Sequence, residues 1–305
     1  MKLQLNQRLH GLVAAPHTPF HADGALNLAA VETQAAHFAR TNVSIVFIGG
    51  TTGESSSLAH DERRALAQRW IEVARGTSLR VVVHVGSNSL VEGRSLAAQA
   101  GQLGAAAISA LAPSYFKPRS VDALVACCAE IAAAAPSTPF YYYDIPAMTN
   151  VSLPILEFLE KAPGRIPTLA GLKFTNPDLM AYLQCLQASD WDIPWGLDEW
   201  MLGALATGAR GFVGSSFNFA APLYQSLIIA FERGDLAAAR TAQYQSAQLI
   251  ALLGRYGYMG AAKATMAMLG VDVGPARLPN NSLDAAQARQ LRGELEALGF
   301  LDWLK

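Results

Sequence analysis

Residues 168–175 read TLAGLKFT, a short apolar run with one lysine, Lys173, set inside it. An ammonium group among apolar neighbours is costly to keep charged, so the run calls for a fold that uses the amine. Its length suits a strand, and it is one of eight comparable runs. The others are GLVAAP (11–16), SIVFIGG (44–50), RVVVHVG (80–86), AAAISALAP (105–113), PFYYYDIP (139–146), DIPWGLD (192–198) and GFVGSS (211–216). Longer helix-like segments follow them in turn, from NLAAVETQAAHFAR after the first to APLYQSLIIAFERG after the last. Apolar strands alternating with helices predict parallel strands with both faces covered. Eight such units in about 230 residues predict an α/β fold, a (β/α)8 barrel. An open doubly wound sheet is the rival, but no GxGxxG follows the first strand and no GxxxxGK[ST] occurs.

From about Asp235 the strand signal stops. LAAARTAQYQSAQLIALLGRYG, MGAAKATMAMLG and SLDAAQARQLRGELEALGFLDWL are three helix patterns, broken by glycine and by GPARLPNNS. The expected organisation is a catalytic barrel over 1–234 and a C-terminal three-helix appendage over 235–305.

The 305 residues are 51% hydrophobic and 15% charged, enough to build a sizeable core. A net charge of -1 without long runs of one sign gives no support to nucleic-acid or anionic-membrane binding. MKLQLNQRLHG lacks a signal-peptide core, and polar residues interrupt every long apolar window, so neither secretion nor a membrane span is expected. Cys127, Cys128 and Cys185 form no CxxC pair, which fits thiols in a reducing, cytoplasmic setting. His17 and His21 are four apart, but PHTPFHADG is a loop punctuated by proline and glycine, so no metal site is expected.

In a barrel of this kind the chemistry sits at the carboxyl ends of the strands. Five of those ends carry polar groups: GGTTGES, YYYDIP, LKFT, GLDE and GSS. Of the six lysines, Lys173 alone falls in a strand-like run. Two readings of it stand. Desolvation disfavours an ammonium and makes a buried amine nucleophilic toward carbonyls; a rim lysine instead lays its stem on the barrel and its head in water. In YYYD, alternation puts Tyr141 and Tyr143 on one face and Tyr142 on the other. A tyrosine near a strand end can relay protons, although aromatic strands are common. GGTTGES offers hydroxyls and backbone N–H groups to a small carboxylate, or is simply a glycine turn capping the next helix.

Taken together, GTTGES (50–55), YYYDIPAMT (141–149), GLKFT (171–175) and GLDEWMLGALATGARGFVGSS (196–216) resemble the N-acetylneuraminate lyase branch of the dihydrodipicolinate synthase family of class I aldolases. The likeness runs across nearly the whole chain. It implies a (β/α)8 barrel with C-terminal helices, assembled as a homotetramer and needing no metal or organic cofactor. Lys173 matches the lysine that forms a Schiff base with pyruvate or a 2-oxo acid. Tyr143 matches the proton-relay tyrosine. Thr51 and Thr52 match the hydroxyl pair that holds the substrate carboxylate. Tyr115 matches a tyrosine that reaches an adjoining subunit's site. Thr175, Gly196, Asp198, Glu199 and Ser215 match the lining of the sugar end of the pocket.

Synthases that use aspartate semialdehyde carry an arginine just after the proline of the YNxP stretch. Here Ala147 and Met148 follow Pro146, so an anionic aldehyde lacks its bidentate partner. Asp198 and Glu199 suit an uncharged, polyhydroxylated aldehyde such as N-acetylmannosamine. Asp144, Asn150, Ser114 and Leu197 depart from the family pattern, and the last two bear on which sugar fits. The implied activity is cleavage of a 2-oxo sugar acid to an aldehyde and pyruvate. Aldolases for another 2-oxo acid, a synthase-type condensation and a non-catalytic sugar- or pyruvate-binding protein are the alternatives.

Overall fold

A computed structural model describes residues 3–188 and 190–304. Among them are seven strands: β1 (Gly11–Ala14), β2 (Ile45–Ile48), β3 (Arg80–His84), β4 (Ala107–Leu111), β5 (Phe140–Asp144), β6 (Leu169–Phe174) and β7 (Gly211–Gly214). The strands are short and almost wholly buried, as parallel strands covered on both faces must be. Helices follow them as the alternating pattern predicts, including Leu90–Leu103, Val121–Ala132 and Leu179–Ala188. Local chemistry sets their ends. Ser89 and Ser120 accept hydrogen bonds from the backbone N–H groups of Glu92 and Ala123, and Gly104 closes its helix in the left-handed region at φ 82°.

The chain forms two compact units. The first comprises Met1–Gly11, Arg80–Leu197 and Gly203–Val213. In it β3 pairs with β4, β4 with β5 and β5 with β6, all parallel, in a register that sets Leu111 beside Tyr143 and Tyr143 beside Lys173. The expected strand over 192–198 is not continuous. It makes single bridges, Gly171 with Asp192, Phe174 with Trp195 and Trp195 with Phe212. Pro194 has no N–H to give, so the ladder cannot run through it. Its carbonyl still accepts from the Phe174 N–H at 2.9 Å, and the Val213 N–H donates to Trp195 O at 2.8 Å. The segment thus takes the seventh strand's place between β6 and β7. Beyond β7, the Gly11 N–H donates to Arg210 O at 2.8 Å.

Tyr142 packs on Phe158 with ring centroids 4.7 Å apart, while the Tyr141 hydroxyl donates to Asp192 Oδ2 at 2.6 Å. The two neighbours therefore face opposite ways, as the period of two requires, and Tyr143 shares the side of Tyr141. Close packing explains one glycine here. A Cβ on Gly171 would lie 1.7 Å from the Asp192 carbonyl oxygen. Gly171→Ala is accordingly expected to destabilise the protein by about 1–3 kcal/mol, read as a melting temperature several degrees lower. An unchanged melting temperature would contradict the packing of 192–196 against β6.

The second unit comprises Leu12–Leu79, Asp198–Leu202 and Gly214–Lys305. Here β1 pairs with β2 through Val13 and Ala14, and the Ala15 N–H donates to Gly214 O at 3.0 Å. Helix Phe217–Glu232 follows, then the three expected C-terminal helices, Leu236–Arg255, Tyr258–Met268 and Ala285–Leu298. Asp235 and Asp284 cap the first and third of these. No described helix is long and apolar enough to cross a membrane. Cys128 and Cys185 are buried, and all three cysteines are free thiols.

Candidate active site

In the first unit, the β5–β6 register brings Tyr143 and Lys173 side by side near the carboxyl ends of their strands. Both are buried, and Lys173 Nζ lies 4.0 Å from the Tyr143 ring centroid. The solvated-rim reading of this lysine is therefore excluded: only 5% of the residue is exposed. The buried His84 imidazole, at the end of β3, meets Tyr143 edge-on, with centroids 5.9 Å apart and planes at 88°. Gly86 leaves room for it, since a Cβ there would lie 2.9 Å from His84 Nε2.

Thr175 follows β6 directly and is fixed by its N–H to Asp144 O at 2.8 Å. Its Oγ1 is buried without a hydrogen-bond partner, and a Cβ on Gly196 would come within 2.0 Å of it. A side chain at position 196 would therefore clash with Thr175 as it is placed here. Asp144 shares the face of Tyr142, away from Tyr143. Burial pushes its carboxyl up to about 6, opposed by a hydrogen bond from Asn176. This departure from the family pattern thus lies off the face that carries Tyr143.

Tyr115 is placed differently. It is 77% exposed on the loop after β4, outside the buried Tyr143–Lys173 cluster. Asn88 Oδ1 accepts from the backbone N–H groups of Ser114 and Tyr115, and the Tyr115 ring packs on Phe116 at 5.0 Å. Tyr115, Phe116, Lys117 and Arg119 line a surface cavity of about 490 Å³.

In the second unit, Thr52 is buried and its hydroxyl shares a 2.6 Å hydrogen bond with Ser215, at the end of β7. Thr51 is half-buried. Thr18 Oγ1 donates to Gly53 O at 2.6 Å, and Glu54 takes a left-handed conformation at φ 54°. Asp198 is buried, and its Oδ2 accepts the Ser216 N–H at 2.8 Å, just ahead of helix Phe217–Glu232. One of its oxygens thus does structural duty. Glu199, half-buried, shares the single turn Asp198–Trp200 with it.

The structure adds three buried polar groups. His84 was one of several scattered histidines, although a polar residue closing RVVVHVG is itself a strand-end signal. His17 is fully buried, and desolvation together with the Lys263 charge lowers its pKa to about 3. Lys263, on helix Tyr258–Met268, is a second buried lysine, and helix position gave no hint of it.

A buried amine against a phenol, at the carboxyl ends of parallel strands, can capture a carbonyl and move protons beside it. That is the equipment of a carbon–carbon lyase of the class I aldolase type. Residues 8–298 match the model of the dihydrodipicolinate synthetase family, and the chain belongs to that family. It is 40% identical to N-acetylneuraminate lyase A of Xenopus laevis over 277 residues, 90% of this chain and 91% of that one. Among solved structures it resembles the Proteus mirabilis N-acetylneuraminate lyase, with a TM-score of 0.93 at 39% identity, covering 96% of this chain and 99% of the other. The Aliivibrio salmonicida enzyme (sialic acid aldolase) gives 0.93 at 41% identity, with coverage of 96% and 98%. The fold is therefore the expected (β/α)8 barrel with C-terminal helices.

Proposed function

We propose that the chain is an aldolase that cleaves N-acetylneuraminate to N-acetylmannosamine and pyruvate through a Schiff base on Lys173. The pairing of Tyr143 with Lys173, buried and in register, carries this reading. Thr51 and Thr52 hold the carboxylate of the open-chain substrate. The unprotonated Lys173 amine adds to the C2 ketone, and loss of water leaves a protonated imine. Tyr143 takes the proton of the C4 hydroxyl, the C3–C4 bond breaks, and its electron pair settles in an enamine. The aldehyde leaves. Protonation at C3 and hydrolysis of the imine then release pyruvate and restore the amine. Thr175, Gly196, Asp198, Glu199 and Ser215 line the sugar end. No step needs a metal or organic cofactor.

Support for a sugar acid rather than an acidic aldehyde comes from the short helix Pro146–Thr149, which carries no cation. We further propose a barrel over 1–234 with helices over 235–305, acting in the cytoplasm as a homotetramer. The exposed Tyr115 and Phe116 offer themselves to a second copy, in which Tyr115 would complete the relay.

Pyruvate release, followed by a coupled assay across a panel of 2-oxo sugar acids, tests the assignment. N-acetylneuraminate is expected to give the highest kcat/KM. A clear preference for 2-keto-3-deoxygluconate, or condensation of pyruvate with aspartate semialdehyde, would move the chain to another activity of the family. Binding without turnover would make it a non-catalytic sugar- or pyruvate-binding protein.

A further inference from the structure

Within the second unit, the GTTGES loop is anchored by the C-terminal helices in a way the proposed mechanism does not require. Lys263 Nζ is 2.8 Å from Glu54 Oε1, and neither side chain is more than 2% exposed. The same ammonium donates to Thr18 O at 2.9 Å and Pro275 O at 2.7 Å. It also sits 4.4 Å from the Phe20 ring centroid. The second Glu54 oxygen accepts from the Arg277 N–H at 2.8 Å and from Asn280 Nδ2 at 3.3 Å. Arg277 in turn grips Glu62, Gly24 O and Ser57 O. Glu54 itself occupies the left-handed region, where residues other than glycine seldom sit unless their surroundings hold them. The residue held there comes two positions after Thr52.

We propose that Glu54 and Lys263 are positioning residues: their buried ion pair fixes the conformation of the Thr51–Thr52 segment and so sets the affinity for the substrate carboxylate. The inference rests on the carboxylate role proposed above for those threonines. It gives helix Tyr258–Met268 a share in substrate binding. The mechanism is geometric. The hydroxyls and N–H groups that meet a carboxylate must keep their relative placement to within a few tenths of an ångström, and remote misplacement is expensive. Ordering the loop beforehand removes that cost from binding.

The test uses Glu54→Asp, which keeps both charges and shortens the reach, and the double variant Glu54→Gln with Lys263→Met, which leaves no uncompensated buried ion. Circular dichroism confirms folding, and borohydride trapping with saturating pyruvate counts active sites. The expected result in the folded double variant is a half-saturating pyruvate concentration, and a KM for N-acetylneuraminate, raised on the order of 10- to 100-fold. kcat per active site should stay within about twofold, because neither residue touches the reacting atoms. Glu54→Asp is expected to fall between. A purely structural role would lower the number of active sites and leave half-saturation where it was. That outcome, a fall in kcat at constant KM, or loss of folding in both variants would overturn the inference. If the wild-type chain forms no pyruvate adduct, the reading of the site fails, and the inference with it. If the adduct forms normally and the folded variants keep wild-type half-saturation, the inference alone fails.

Discussion

Lys173→Met should abolish the borohydride-trapped pyruvate adduct and lower N-acetylneuraminate cleavage on the order of 10⁴-fold or more, because the covalent route loses its nucleophile. Methionine is close to lysine in length, and it removes a polar group from a buried position, so the fold should hold. Circular dichroism and thermal melting would check this. The demanding measurement is the site of the wild-type adduct by peptide mapping. Lys263 is equally buried, and a list of lysines ranked by burial would put it first. The two amines differ in their neighbours. Burial lowers the Lys263 pKa, opposed by the adjacent Glu54 carboxylate, and the Lys263 amine is tied by an ion pair to Glu54 and by hydrogen bonds to Thr18 O and Pro275 O. An amine tied down in such a network is a poor nucleophile. Lys173 lies against the face of the Tyr143 ring. An adduct on Lys263, or one that persists in Lys173→Met, would overturn the assignment.

Tyr143→Phe is expected to separate the two halves of the mechanism. The ring stays, and with it the packing against Lys173 and His84; only the phenolic oxygen goes. The pyruvate adduct should still form at Lys173, while kcat for cleavage falls about 10²- to 10⁴-fold, the usual worth of a positioned proton-transfer group. Single-turnover kinetics would show the imine accumulating before carbon–carbon cleavage. Wild-type cleavage rates in this variant would remove Tyr143 from the mechanism, and loss of the adduct itself would place the hydroxyl at an earlier step.

Local pattern carried most of the fold. The eight apolar runs, the helices between them and the three C-terminal helices are where periodicity puts them, because parallel strands buried on both faces must be apolar throughout. The exception is informative. DIPWGLD has the composition of a strand and occupies a strand's place, but Pro194 breaks the ladder into single bridges. Composition reports burial; hydrogen-bonding continuity depends on which residue lacks an N–H.

The residues of the site divide along the same line. Lys173 and Tyr143 stood out because each is a polar group near the carboxyl end of an apolar strand, and a period of two fixes which face it takes. Their being neighbours was a matter of strand order and register, which pair Tyr143 with Lys173 across 30 positions of chain. His84 was visible only as one histidine among six, since nothing local says that β3 delivers it to the Tyr143 ring. Asp198 read as a ligand for hydroxyls, whereas folding commits one of its oxygens to the Ser216 N–H. Glu54 and Lys263 are 209 positions apart and were unremarkable in their own segments; their pairing is a product of how helix Tyr258–Met268 packs within the second unit. Strand, helix and face follow from neighbours along the chain, where sterics and periodicity act. The partner of a buried charge is chosen by packing across it, and no window of sequence holds both ends of that choice.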